Sequence, residues 1–206
     1  MSDPGRGSPH GAAKTGVPST TPPAWAWELS RECLAGMPDR WRHSVRAAIQ
    51  ASRWPSLFDH EAQTVLQTAA ILHDIGYSPD IVRSGFHALD GAVFLRARGV
   101  DEEVVSLVAH HSCAHLEAGL RGLSRELTSF PGHRNRKLTD AVTWCDMTSG
   151  PTGDEVDIEW RLADIRVRYG PESLVGKFAD QAEPHLRAAT SRVQERRRSA
   201  INIRRL

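Results

Sequence analysis

The sequence predicts an all-α protein, and three observations carry that reading. Apolar residues recur at helical spacing through nearly the whole chain beyond residue 24. No run alternates with a period of two for more than a few residues, so no strand is expected. The periodic segments end at glycine or proline breakers, as at Gly76, Gly99 and Gly170-Pro171. With 206 residues the chain is long enough to bury one sizeable core.

Residues 1–23 are rich in Gly, Pro, Ser and Thr and have no apolar period. Such a segment cannot offset its ordering entropy and is expected to be a disordered tail. Residues 24–206 are expected to form one domain, with Trp25 and Trp27 as first anchors. The spacing predicts a helix over about Trp25–Gly36 and a second over about Pro38–Arg53, which carries His43. A third follows Asp59, with Val65, Ala69 and Leu72 as its core stripe, and ends at Gly76. A fourth runs over about Gly85–Arg98. A fifth starts at Asp101, a good N-cap, and carries Val104, Leu107, Val108 and His111 on one face. Residues 119–136 read as a short helix plus a loop, and about Arg136–Met147 as a helix. After the break at residues 149–153, a C-terminal extension (154–206) holds helices over about Asp157–Tyr169 and from about Pro171 to the end. Pro184 is placed to kink the last one.

Composition narrows the function. The formal net charge is +1, so nothing in it calls for nucleic acid or an anionic membrane. Cys33, Cys113 and Cys145 are far apart and form no C-x-x-C pair, which argues against a zinc ribbon or a disulfide framework. No signal peptide or membrane span is evident, and a reducing cytoplasm fits best. Ten histidines stand against two tyrosines and five phenylalanines. Histidine is the commonest metal ligand, so this skew points toward a metal site.

The central motif is Ala70-Ile71-Leu72-His73-Asp74-Ile75-Gly76-Tyr77. It sets an imidazole beside a carboxylate at the end of an apolar helix. Burying such groups is costly unless they are compensated, and one divalent cation compensates both. Adjacent helical residues point about 100° apart, so the pair reaches one ion only where the helix end meets a cavity. An isolated His-Asp pair is usually an ordinary helix end. His43, His87, His111 and Asp146 taken singly are also more often core or cap residues. Together, on different helices of one helical chain, they match the way helical folds build inward-facing metal sites.

The order His43, His73-Asp74, His87, His111, Asp146 resembles the HD-domain superfamily of metal-dependent phosphohydrolases over about Trp41–Gly150. The resemblance implies an HD-like helical bundle. It implies one metal held by His43, His73, Asp74 and Asp146, and a second when His87 and His111 join. The stretches Phe86–Ala92 and Val108–Ser112 are similar to small bacterial diadenosine-tetraphosphate hydrolases of that superfamily. His110-His111 is similar to the paired histidines of cyclic-di-GMP phosphodiesterases, but their Gly-Tyr-Pro signature is absent. Many relatives carry lysine where this chain has Tyr77, so the cationic phosphate contact is expected from an arginine such as Arg42, Arg83 or Arg121. Asp74 is expected to bridge two metals and His110 or His115 to move protons, with His110 as the alternative ligand to His111.

The expected activity is hydrolysis of a phosphoester or phosphoanhydride in a nucleotide or other small phosphorylated metabolite. Mixed imidazole and carboxylate ligands suit one or two Fe, Mn, Co, Ni or Zn ions better than Mg. The rival reading is a non-catalytic HD-like module that binds a nucleotide or a partner. The basic end (Arg196–Arg198, Arg204, Arg205) reads as a solvated helix terminus more readily than as a nucleic-acid clamp. Cys145 reads as a small core residue rather than a nucleophile.

Overall fold

Caps and breakers decide where each helix begins and ends in a computed structural model of the protein, which describes residues 22–53 and 57–203. Trp54, Arg204, Arg205 and all but the last two residues of the expected tail lie outside these. Helix α1 spans Ala24–Cys33 and α2 spans Pro38–Ser52. Pro38 opens α2 in the first turn, where a missing N–H leaves no bond unmade. The Asp59 side chain accepts from the Ala62 amide and starts α3 (His60–Leu72). After a 3-10 turn at Ile75–Tyr77 come α4 (His87–Ala97) and α5 (Glu102–His110), the latter capped by Asp101. Then follow α6 (Ala114–Arg121) and the single turn α7 (Ser124–Leu127). Asn135 caps α8 (Arg136–Met147) and Asp157 caps α9 (Ile158–Tyr169). The last helix, α10 (Leu174–Ile203), contains Pro184. No strand forms among the described residues; Ser149 and Glu155 make one isolated antiparallel bridge. The all-α class is therefore the observed one.

The sequence reading puts His111 on the stripe of the fifth helix, whereas α5 ends at His110 and His111 is its C-cap. The chain breaks at Ser112 and Cys113, both at positive φ (46° and 63°), and α6 then starts at Ala114. Neither residue type signals a break, because side chains rarely adopt this conformation. It is held by tertiary bonds: the Ser112 amide donates to Thr143 Oγ1 and the Ser112 hydroxyl to Asp146 Oδ2.

Two apolar clusters result. The larger joins α1–α5 to α8 and includes Leu66, Ile71, Leu72, Leu95, Leu107 and Leu138, all fully buried or nearly so. Each such side chain contributes roughly 1.5–3 kcal/mol through burial. The smaller cluster joins Met147 to Leu162, Ile165, Ala179, Ala182 and Leu186, and so fixes α9 and α10 to the end of α8. Arg192 and Arg196 of α10 both pair with the buried Asp140 of α8, and Arg197 lies over the Trp144 ring. Arg196 and Arg197 of the basic end thus pack against α8, while Arg198 is exposed. Trp27 packs edge-on against Trp41 at 5.2 Å, whereas Trp25 and Trp160 are exposed. No described helix is long and apolar enough to cross a membrane.

Candidate metal centre

The helix ends bring the candidate ligands together. His73 caps the C-terminus of α3, and Asp74 leaves the helix at φ −99°, ψ 2°, which lets both neighbours face one space. His87 is the first residue of α4 and His111 follows the last residue of α5. His43 lies inside α2 and Asp146 in the last turn of α8. His43 Nε2 is 3.2 Å from both His73 Nε2 and Asp146 Oδ1. Asp74 spans two halves of the cluster, with Oδ2 3.8 Å from His43 Nε2 and Oδ1 3.7 Å from His87 Nε2. His87 Nε2 faces His111 Nε2 at 3.1 Å.

Backbone carbonyls set the rings. His43 Nδ1 donates to Gly150 O, His73 Nδ1 to Ala70 O and His111 Nδ1 to Val108 O, at 3.1, 2.8 and 2.7 Å. In the neutral ring a proton on Nδ1 leaves Nε2 as a bare lone pair. His43 and His73 thus point two acceptors at each other, an arrangement that is repulsive unless positive charge lies between them. This is the outer-shell pattern that orients histidine ligands. Two donors about 2.1 Å from one ion stand about 3 Å apart in octahedral and about 3.4 Å apart in tetrahedral geometry. The observed spacings of 3.1 and 3.2 Å fall in that range. His43, His73 and Asp146 each offer a donor atom within 4.8 Å of the others, as do His73, Asp74 and His111. The donor set therefore fits a divalent cation.

Electrostatics agree with ligation. Burial pushes the Asp74 carboxyl up, but His73, Arg40, His43 and His87 outweigh it and hold the group well below the usual carboxylate range. Asp146 is likewise held down against burial, by positive charge at His43, at His73 and on Arg161, the charge that a proton or a cation between the rings supplies. Burial lowers His87 and His111 from the ordinary imidazole value, which favours the neutral form that binds metal.

Local packing explains the precision of the second half. Asp90 accepts from the Arg83, Ser84 and Gly85 amides and from the Ser84 hydroxyl, which fastens the loop leading into α4. Gly76 lets the 3-10 turn lie directly on the start of α4: a Cβ there would meet His87 O at 1.9 Å and Gly91 N at 2.7 Å. The Tyr77 ring stacks on His87 at 4.2 Å and 11°.

Several candidates stand elsewhere. His110 bonds Phe130 O through Nε2 at 2.6 Å and lines a different cavity with His115, His133 and His185. His110 and His115 thus stand apart from the cluster, and of the two neighbouring histidines the kink after α5 turns His111 toward it. Arg42 is exposed and paired with Asp39, and it does not line the metal-facing cavity. Arg83 folds back onto the Val82 and Asp80 carbonyls. Of the three arginines only Arg121 lines the cavity, paired with Glu117.

The cation beside the cluster is instead Arg40. Its Nη1 is 3.1 Å from Asp74 Oδ2, and its guanidinium lies 3.8 Å over the Tyr77 ring. Arg40 precedes His43 by three residues on α2, so both share a face. That i, i+3 spacing was the available signal. Arg161, Arg168 and Tyr169 of α9 also line the cavity and were not expected. Cys145 is fully buried and burial raises its thiol, as suits a core residue.

The metal-facing cavity measures about 320 Å³ and lies between the ligand helices and α9–α10. Comparison with known proteins agrees with this geometry. The family model described as HD domain matches residues 40–150. Ribonuclease Y of Mesoplasma florum is 32% identical over 105 residues, covering 48% of this chain. The chain matches only 21% of that relative's length. No solved structure matches the chain. Because the family match covers more than half of the chain and contains all six gathered side chains, the protein belongs to the HD domain family.

Proposed function

We propose that the protein is a metal-dependent phosphohydrolase that cleaves a phosphoester or phosphoanhydride in a nucleotide or another small phosphorylated metabolite. The observation that carries this reading is the pair of imidazole lone pairs, His43 Nε2 and His73 Nε2, facing each other 3.2 Å apart beside two ionised carboxylates. His43, His73, Asp74 and Asp146 would hold one divalent cation, and His87 and His111 with Asp74 beside them could hold a second. Fe, Mn, Co, Ni or Zn suits this donor set better than Mg. Bound cations supply a Lewis acid for the phosphate and an acidified water. Arg40 neutralises charge beside Asp74 and orients its carboxylate, and Arg121, which lines the same cavity, would be a second cation for the phosphate.

A polynucleotide substrate is the second reading, favoured by the likeness to Ribonuclease Y. The cavity of about 320 Å³ supports the small substrate, since it sits at the lower end of the ~300–1,000 Å³ typical of small-molecule sites. Metal analysis after purification without chelator, followed by turnover of mono-, di- and cyclic nucleotides, dinucleoside polyphosphates and RNA with Mn, Fe, Co and Mg in turn, tests both. Hydrolysis of small phosphates with RNA untouched supports the first reading. RNA cleavage alone supports the second. Metal-loaded protein that turns over nothing supports a binding module instead.

A further inference from the structure

The family match ends at residue 150, yet the cavity does not. Its outer wall is built by α9 and α10. Arg161 lines it while being 91% buried (9% exposed). Its Nη1 pairs with Asp164 at 3.2 Å, and its Nε is buried with no partner. Asp164 is also shared with Arg168, at 3.1 Å, so one carboxylate serves two guanidinium groups. A buried guanidinium whose one direct ion pair is shared and whose Nε has no partner is costly, and an anion in the cavity offsets that cost. Arg161 also contributes to holding the Asp146 carboxyl down, which places its field at the metal cluster.

Beside these cations the wall is apolar. Leu162, Ile165, Val175 and Phe178 line it together with Tyr169. A guanidinium pair next to an apolar and aromatic wall matches a phosphate joined to a ring. The space of about 320 Å³ lies within the ~300–1,000 Å³ typical of small-molecule sites.

We infer that α9 and α10 form a recognition subsite in which Arg161 and Arg168 hold the phosphate of a mononucleotide-sized, ring-bearing organic phosphate whose ring lies against Phe178, Ile165 and Leu162. The inference deepens the phosphohydrolase reading of the same cavity and rests on it for the reaction, but not for binding. It assigns specificity to the helices outside the family match.

Calorimetry on the full chain tests it with four probes: AMP, phenyl phosphate, glycerol 3-phosphate and inorganic phosphate. The wild type binds AMP and phenyl phosphate at least tenfold more tightly than the other two. Arg161→Gln weakens all four about 10- to 100-fold, the range set by loss of a charged hydrogen bond. Arg161→Lys recovers part of that loss. Phe178→Ala weakens only AMP and phenyl phosphate. Thermal melts confirm that each variant is folded, and a variant that fails to fold is replaced in the comparison by Arg168→Gln. Equal affinity for all four probes, or binding untouched by both arginine variants, overturns the subsite even if the protein hydrolyses phosphoesters. Probe binding that depends on Arg161 in a protein with no turnover supports the subsite and rejects the phosphohydrolase reading. AMP binding that survives Asp74→Ala and is lost in Arg161→Gln separates the two in the subsite's favour.

Discussion

Gly76 and the His87 carbonyl are in direct backbone contact: a Cβ added to Gly76 would lie 1.9 Å from that oxygen. The turn after His73-Asp74 and the first residue of α4 are thereby locked together, so the two halves of the ligand cluster share one rigid joint. Gly76→Ala has no flexible side chain to displace. It is expected to destabilise the fold by about 1–3 kcal/mol or more, the range for overpacking. An unchanged midpoint in urea unfolding would show that the joint is softer than the contact implies.

Asp74 is the carboxylate common to both halves. Asp74→Ala is expected to remove metal from the purified protein and reduce turnover by about two orders of magnitude or more, because ligand loss exceeds the 10–100-fold effect typical of outer-shell changes. The apolar clusters are untouched, so helicity should persist. Equal metal content and equal rates in the variant and the wild type would remove Asp74 from the centre.

Arg40 acts through Asp74. Arg40→Gln is expected to weaken metal affinity or activity by about 10–100-fold while leaving the ligands in place. Titration with Mn or Co, followed by absorbance or calorimetry, reads the affinity. If the affinity stays at the wild-type value, the 3.1 Å pair with Asp74 is only a surface feature of the cavity.

Histidines 110 and 111 should behave oppositely despite being neighbours. His110→Ala loses the bond to Phe130 O and about 0.5–1.5 kcal/mol of stability, with metal content intact. His111→Ala should lose metal from the His87 side. Loss of metal in the His110 variant would mean that the chain after α5 turns the other ring inward.

Acid should act in two separate windows. His87 and His111 are lowered by burial, so below about pH 6.5 the unfolded chain binds more protons than the folded one and stability falls as pH drops. Asp74 and Asp146 are also lowered, so their contribution is complete above the ordinary carboxylate range and is lost only as pH falls through their depressed values. Between pH 7 and 5 the metal-free protein should therefore weaken through the histidines alone. Urea midpoints measured with chelator across that range check the sign, and the slope should shrink in His87→Gln. Metal affinity should fall over the same interval, since protons compete for the imidazoles.

Helical periodicity was enough to predict the all-α class, the bounds of α8 and the starts of α3, α5 and α9, because caps such as Asp59, Asp101 and Asp157 act over three residues of local chain. Residue chemistry in order along the chain also singled out the six side chains that gather at the cluster. What it could not reach was direction. Whether His110 or His111 faces inward depends on the positive-φ kink at Ser112 and Cys113, and that kink is held by Thr143 and Asp146 some thirty residues away. The choice among arginines was also tertiary. Arg42, Arg83 and Arg121 were candidates to replace the lysine that relatives carry at Tyr77, yet Arg40 reaches Asp74 because α2 and α3 pack side by side. Arg161 enters the cavity only because Met147, Leu162 and Leu186 seat α9 and α10 against the end of α8. Local spacing determines helices and the inventory of donors; which donors share a cavity is decided by contacts between residues far apart in the chain.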